Sequence, residues 1–366
     1  MKKVYIKTFG CVQNTADSER IKTYYWDKGY EELEDWKKAD LVVINTCIIR
    51  ESAENRAYGL INKVNKFNLK KKKKIKIVVT GCLAGVALRD ESGKKLNELK
   101  NRFPMVDEFL SIDKVSYQIA PLRNKRGAAL IIISSGCNNF CSYCIVPMAR
   151  GKEISRPFDE IILEARKVLK QGFREIVLIG QNVNSYGSDF SNKSDIFVHM
   201  GKKRFKSLFP KLLEEIAKLK VDKVSFLSSN PWDFSDELIE VIAKYPNIDR
   251  LLHLPFQAGD NEVLKNMNRG YTKQEYLDLV RKIKKNIKDV KISTDVIVGF
   301  PGEDEKAFLE TVDVCKKIKF DIAYVNKYSP RKGTVSAKMF ENEIPQSEKK
   351  RRWKILDDLV NKKIMA

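Results

Sequence analysis

The chain has 366 residues, 43% apolar and 32% charged, proportions of an ordinary globular protein long enough for two or three domains, which excludes a one-motif peptide or a small disulfide scaffold. Its apolar runs, such as residues 176–179, fall far short of a bilayer span. The opening stretch alternates like a strand and shows no secretory segment, so the reading is a cytoplasmic protein with no membrane partner. Lys and Arg (69) exceed Asp and Glu (48), a formal +21; this raises the prior for a polyanionic partner such as RNA, alongside the plainer reading of a lysine-rich codon bias.

Taken in order, the first part of the chain repeats one pattern three times. A short β-rich run leads to a cysteine-bearing loop and then to a helical segment: 4–9 before Cys11, 40–45 before Cys47, and 75–80 before Cys82. The helices expected after them cover 17–28, 51–67 and a weaker stretch ending near Arg102. Strands alternating with helices predict a parallel sheet, whose ligands sit beyond the carboxyl ends of its strands, so all three cysteines belong on one edge. Residues 70–74 form a lysine run that reads as a solvated connection. This first domain is placed at 1–115, followed by a linker at 116–127.

The second part, 128–345, carries six strand candidates at 128–134, 175–179, 223–227, 250–254, 291–297 and 322–326. Helical segments are expected at 158–171, 208–219, 236–244, 273–287 and 305–318. Six such units predict a curved parallel sheet or partial (β/α)6 barrel with its site at the strands' carboxyl ends. Residues 188–206 read as an irregular surface insertion, and 346–363 as a C-terminal helix with Trp353, Leu356 and Val360 on one stripe.

Seven cysteines in a reducing compartment do not suggest a disulfide set. Besides the spread trio and Cys315, three stand in a CxxxCxxC loop directly after the first strand of the second part: Cys137, Cys141 and Cys144. The chance of that spacing arising from composition alone is on the order of 0.003. A structural zinc closes with four ligands, and no fourth Cys or His is near in sequence. An iron–sulfur cube tolerates three thiolates, leaving one iron open to a substrate or cofactor.

A CxxxCxxC loop after the first strand of a partial barrel resembles the radical S-adenosylmethionine superfamily. The resemblance implies that the open iron chelates S-adenosylmethionine, which an electron from the cluster cleaves to a 5′-deoxyadenosyl radical. A preceding domain with a second cysteine trio is similar to the methylthiotransferases, implying a second [4Fe–4S] cluster on Cys11, Cys47 and Cys82. Asn45-Thr46-Cys47 with Arg50-Glu51, Ala53-Glu54-Asn55, Cys144-Ile145-Val146-Pro147 and the segment 150–157 resemble the bacterial tRNA branch acting on isopentenyladenosine beside the anticodon, at position 37. So do Gly180-Gln181-Asn182, His253-Leu254-Pro255, Met267-Asn268-Arg269 and Gly299-Phe300-Pro301-Gly302-Glu303. The pattern departs at Val12-Gln13-Asn14, at Asn230 and at Gly85. It also implies a small C-terminal RNA-binding (TRAM) barrel, expected to be absent because the sequence ends at Ala366.

By this resemblance the partners are a tRNA anticodon stem-loop, S-adenosylmethionine and a reducing electron donor, acting on a monomer. The related readings are methylthiolation of threonylcarbamoyladenosine in tRNA, or of a ribosomal-protein aspartate; the non-enzyme reading is an iron–sulfur RNA-binding protein. Gln181, Asn182, Gly299 and Pro301 follow strands at the active edge and are the expected cofactor contacts. Arg150 and Arg156 are placed to meet a carboxylate or phosphate. His253 fits the barrel lining or a hydrogen-bonded interior, and Cys315, in line with Phe308 and Val312, fits the core. The cluster at 349–352 reads as solvated surface or an RNA contact.

Overall fold

The protein is described by a computed structural model covering residues 1–48, 51–115, 119–123, 127–190, 196–200, 202–339 and 344–362. Arg50, half of the expected linker and Lys363 lie outside the described residues. The chain divides into two units: Met1–Arg126 with Ser135–Asn138 and Ile145–Glu153, and Gly127–Ser134 with Asn139–Cys144 and Ile154–Ala366.

The first unit is a five-stranded parallel sheet: β1 (Lys2–Phe9), β2 (Tyr30–Glu32), β3 (Leu41–Thr46), β4 (Lys76–Gly81) and β5 (Glu108–Phe109), in spatial order 2-1-3-4-5. All six residues of β3 are buried. Alternate residues face opposite layers: Val42 and Ile44 join Ile61, Val64 and Leu99, while Leu41 and Val43 join Ile21 and Tyr25. A continuous apolar run is what a strand covered on both faces requires. The covering helices are α1 (Val12–Trp26), α2 (Glu51–Asn68), α3 (Cys82–Leu88), α4 (Lys94–Arg102) and the short α5 (Val146–Arg150). Helix α1 starts five residues earlier than expected because its buried face is polar, with Gln13, Asn14, Asp17, Ser18 and Arg20 inside. Apolar periodicity therefore could not mark its first turn.

In the second unit β6 (Ala129–Ile132) runs towards β7 (Ser134–Ser135), whose last residue belongs to the first unit, and β8 (Ile154–Ser155) precedes α6 (Phe158–Lys170) and β9 (Glu175–Ile179). The expected irregular insertion is instead largely an antiparallel hairpin, β10 (Ile196–His199) with β11 (Lys202–Phe205). The first of these runs is too short, and Lys-Lys-Arg in the second too polar, to announce strands. Next come α7 (Phe209–Ala217), β12 (Lys223–Phe226), α8 (Asp236–Lys244), β13 (Leu251–His253), α9 (Asn261–Asn266), α10 (Lys273–Asn286), β14 (Lys291–Val298), α11 (Glu305–Ile318), β15 (Ile322–Lys327), α12 (Ser336–Met339) and α13 (Gln346–Val360).

The six main strands, β6, β9, β12, β13, β14 and β15, follow one another in sequence order. They form two parallel three-stranded sheets, β6-β9-β12 and β13-β14-β15, linked by a parallel bridge between Val224 and Ile248. This is the six-stranded, partly closed barrel the pattern implied. One continuous apolar core runs from Ala129 to Val360 and includes Cys315. Helix starts are set by Ser235, Asp260 and Asp304, each accepting the backbone N–H three residues on, and by a Thr272–Glu275 capping box.

Candidate cluster and cofactor sites

Strand register places the spread cysteines. In the first unit Phe9 pairs with Thr46, and Thr46 with Gly81, so Cys11, Cys47 and Cys82 leave three adjacent strands at one level. Adjacent strands lie about 4.8 Å apart, so the three exits span roughly 10 Å. The spatial order reverses between β1 and β3, the crevice where open parallel sheets bind ligands, and Cys11 and Cys47 flank it. Cys82 is itself the first residue of α3, and not part of a loop as the sequence suggested. Gly81 makes that entry possible: its φ is +82°, and a Cβ there would stand 2.3 Å from Asn45 Oδ1 and 2.5 Å from Thr46 O.

A buried amide network ties the exits together. Asn14 Nδ2 donates to Asn45 Oδ1 (3.0 Å) and Thr46 O (3.1 Å), Asn45 Nδ2 donates to Asn14 O (2.8 Å), and the Cys11 thiol donates to Asn14 Oδ1 (3.3 Å). Cys47 and Cys82 are almost wholly buried. Burial pushes the Cys82 thiol pKa up, the charge of Arg150 pulls it down, and Cys47 and Cys11 push it up again. Cys82 thus stands within electrostatic reach of both other thiols. Arg150 donates from Nη2 to Asp17 Oδ2 at 2.6 Å, and both side chains are under 5% exposed. Burial opposes its charge, yet Asp17 and the Cys82 and Cys11 thiols hold its pKa well above the usual value. A Gly85 Cβ would lie 2.1 Å from Ala149 O, so Gly85 lets α3 pack directly on α5 and bring Arg150 to the edge. A sulfur-only donor set with a buried guanidinium beside it fits an iron–sulfur cluster. Among the described residues, no three His, Cys, Asp or Glu side chains close on a single metal ion; a cube of four irons holds its thiolates on a wider frame than one zinc does.

The loop trio is built differently. Cys137 follows Gly136, whose φ of +77° and 2.0 Å virtual Cβ contact with Lys152 O leave room for no other residue; the Cys137 amide donates to Gly151 O. In the second unit, the Cys144 amide donates to Cys141 O at 2.9 Å. The segment after α9 holds this stretch. Asn268, with φ +55°, donates from Nδ2 to Phe140 O (2.9 Å) and Asn139 O (3.3 Å), and Ser142 donates its amide to Met267 O and its hydroxyl to Asn266 O. Arg269 is buried and donates to Cys141 Sγ (3.5 Å), Asn230 Oδ1 (3.1 Å) and Pro255 O (3.0 Å), with its guanidinium 4.5 Å from the Trp232 ring centre. Asn230, one of the positions at which the sequence departs from the family pattern, is therefore an acceptor that orients Arg269. Burial drives the Tyr143 pKa far up, the Cys141 thiol adds to it, and Arg269 opposes.

Of the expected cofactor contacts, Gln181 is half-buried after β9 and Asn182 is fully buried. Asn182 Nδ2 donates to Asp233 at 2.6 Å, while its Oδ1 has no hydrogen-bond partner among the described residues. Gly299 donates its amide to Glu303 Oε2 at 2.5 Å and, at φ +71°, would drive a Cβ to 2.4 Å from Lys349 Cγ; Pro301 is buried in the same turn. The turn is thereby tied to α13. This corrects the basic cluster: Lys349 is fully buried over Tyr328, Arg352 is buried on Glu303 at 2.8 Å, and Arg351 pairs with Glu305 and Glu348. Four adjacent cations on a helix point in four directions, and two of these lie in the Leu356–Val360 stripe. Arg156 is likewise structural, bound to Ile132 O and Glu164. His253 bonds Ser293 and Asp295, and Cys315 is core, its pKa pushed up to about 12 by burial.

Sequence reasoning quoted Asn268 and Arg269 only as motif letters and assigned them no work. Their signal was a polar pair directly after a short helix, in a unit whose cysteine loop needed a second support.

The model of the Radical SAM superfamily matches residues 131–315, and that of Uncharacterized protein family UPF0004 matches residues 3–110. The chain is 39% identical to the tRNA-2-methylthio-N(6)-dimethylallyladenosine synthase of Thermotoga petrophila, covering 99% of this chain and 83% of the relative. It is 41% identical to the enzyme of that name from Fusobacterium nucleatum, covering 99% and 84%. Among solved structures, the radical S-adenosylmethionine methyltransferase TsrM of Kitasatospora setae aligns with a TM-score of 0.60 at 15% identity, over 92% of this chain and 77% of that one. The fold is shared with it. With nearly its full length matched at such identity, the chain belongs to the tRNA-2-methylthio-N(6)-dimethylallyladenosine synthase family of radical S-adenosylmethionine methylthiotransferases.

Proposed function

We propose that this enzyme methylthiolates carbon 2 of N(6)-isopentenyladenosine (dimethylallyladenosine) at position 37 of tRNA, with Cys137, Cys141 and Cys144 holding the cluster that meets S-adenosylmethionine and Cys11, Cys47 and Cys82 holding the second [4Fe–4S] cluster. The observation that carries the reading is the register of β1, β3 and β4, which delivers three distant thiols to one sheet edge in a chain 39% identical to a tRNA-2-methylthio-N(6)-dimethylallyladenosine synthase. When bound, the clusters and S-adenosylmethionine supply the sulfur, the methyl group and the hydrogen abstraction. The chain's own residues position them. Asn268 and Ser142 fix the Cys141–Cys144 turn, and Arg269 places a positive charge on Cys141. Asn182 Oδ1, buried without a partner among the described residues, and Gln181 beside it offer polar contacts to the cofactor, with the Gly299–Pro301 turn as a further wall. The tRNA anticodon stem-loop is the macromolecular partner, a cytoplasmic electron donor the reductant, and a monomer the working form.

Anaerobic reconstitution should give about eight irons per chain, and the Cys137→Ala/Cys141→Ala/Cys144→Ala variant about four, with no 5′-deoxyadenosine formed. Mass spectrometry of tRNA nucleosides from cells with and without the gene should show the 2-methylthio group lost from isopentenyladenosine. A zinc-only protein, or loss of the group from threonylcarbamoyladenosine instead, overturns the assignment.

A further inference from the structure

Within the first unit, Arg150 has a divided set of bonds. Its Nη2 is committed to Asp17, but its Nη1 is buried with no hydrogen-bond partner among the described residues, on a side chain only 2% exposed. A buried, unmet guanidinium nitrogen is costly, so it marks a place where an acceptor belongs. The neighbourhood says which acceptor. Ala149, the residue before it, packs with Cys82, Val86 and Ile145 in a small buried cluster, and the arginine's charge acts on Cys82 and Cys11. Among the described residues Asp17 is the carboxylate paired with it, and it lies on α1, which opens directly after Cys11.

We infer that Arg150 Nη1 is the hydrogen-bond donor to the sulfur of the cluster held by Cys11, Cys47 and Cys82, and that the Asp17–Arg150 pair sets how readily that cluster takes an electron. A donor and a positive charge beside a cluster stabilise its reduced, more negative state, and a carboxylate behind the donor partly cancels that effect. The inference rests on the assignment of this cysteine trio to a cluster.

The test uses the full chain with Cys137→Ala/Cys141→Ala/Cys144→Ala, so that one cluster remains, reconstituted anaerobically and titrated with dithionite against redox mediators while the reduced-cluster EPR signal is followed. Asp17→Asn, which keeps the arginine and frees it of its counter-charge, should raise the midpoint potential. Asp17→Asn/Arg150→Met, which removes the pair without leaving either charge buried alone, should lower it, by at least a tenfold change in the reduction equilibrium, about 59 mV for one electron. Arg150→Lys should fall between the parent and the double variant. Opposite signs are the readout that a merely structural pair would not give. If the potentials coincide, if both variants shift the same way, or if Asp17→Asn alone fails to hold iron, the role of Arg150 is refuted. If the triple-alanine parent itself holds no iron, the cluster assignment fails instead.

Discussion

Glu303 offers a quantitative check on how α13 holds the turn after β14. Its side chain is fully shielded, accepts the Gly299 amide and an Arg352 N–H at 2.8 Å, and still has its pKa raised by burial from 4.5 to about 7. The unfolded chain releases that proton near 4.5 and the folded chain near 7, so between those values the folded state holds more protons and stability falls as pH rises. The contribution is fully present below 4.5 and lost above 7. A gap of about 2.5 pH units corresponds to about 3.4 kcal/mol, of which about 2.5 kcal/mol falls between pH 5 and pH 8. Glu303→Gln keeps the shape and removes the titration. In urea unfolding followed by tryptophan fluorescence, the parent should therefore lose about 2.5 kcal/mol more than the variant on going from pH 5 to pH 8. If the two losses agree within about 0.5 kcal/mol, Arg352 and the Gly299 amide keep the carboxylate ionised throughout, and burial does not win at this site.

Gly85→Ala forces a Cβ to 2.1 Å from the Ala149 carbonyl and should cost about 1 to 3 kcal/mol, read as a lower melting temperature; an unchanged melt would mean that α3 and α5 are free to separate. Asn268→Gly keeps the left-handed turn but removes both bonds to the cysteine loop, so a chain carrying Cys11→Ala/Cys47→Ala/Cys82→Ala should lose its remaining iron faster to a chelator, and equal retention would show the clamp to be dispensable. Cys315→Ala should lower stability by about 1 to 2 kcal/mol and leave the iron count at about eight; a lower count would make the seventh cysteine a ligand after all.

The α/β fold and the delivery of Cys11, Cys47 and Cys82 to one sheet edge were legible because they depend on short-range signals: strand, cysteine, helix, three times over. What stayed hidden depends on partners distant in sequence. The edge strands β2 and β5 are three and two residues long, below any periodicity, and exist because β1 and β4 offer them open edges. Helix α13 is the instructive case. Lys349, Arg352, Trp353, Leu356 and Val360 follow helical spacing on one face, so the pattern is present, but a run of four cations reads as solvated surface or an RNA contact because buried charge is rare without a waiting carboxylate. That carboxylate, Glu303, lies 49 residues from Arg352.

The two cysteine trios differ in when they can exist during the life of the chain. Cys137, Cys141 and Cys144 sit within eight consecutive residues, so a newly made or loosened polypeptide already presents them together at little entropic cost. Cys11, Cys47 and Cys82 are 36 and 35 residues apart and become neighbours only after β1, β3 and β4 have paired. On the proposed ligand assignment, maturation is ordered by topology: iron captured early goes to the loop, and the sheet edge becomes a competent host only once the first unit has folded.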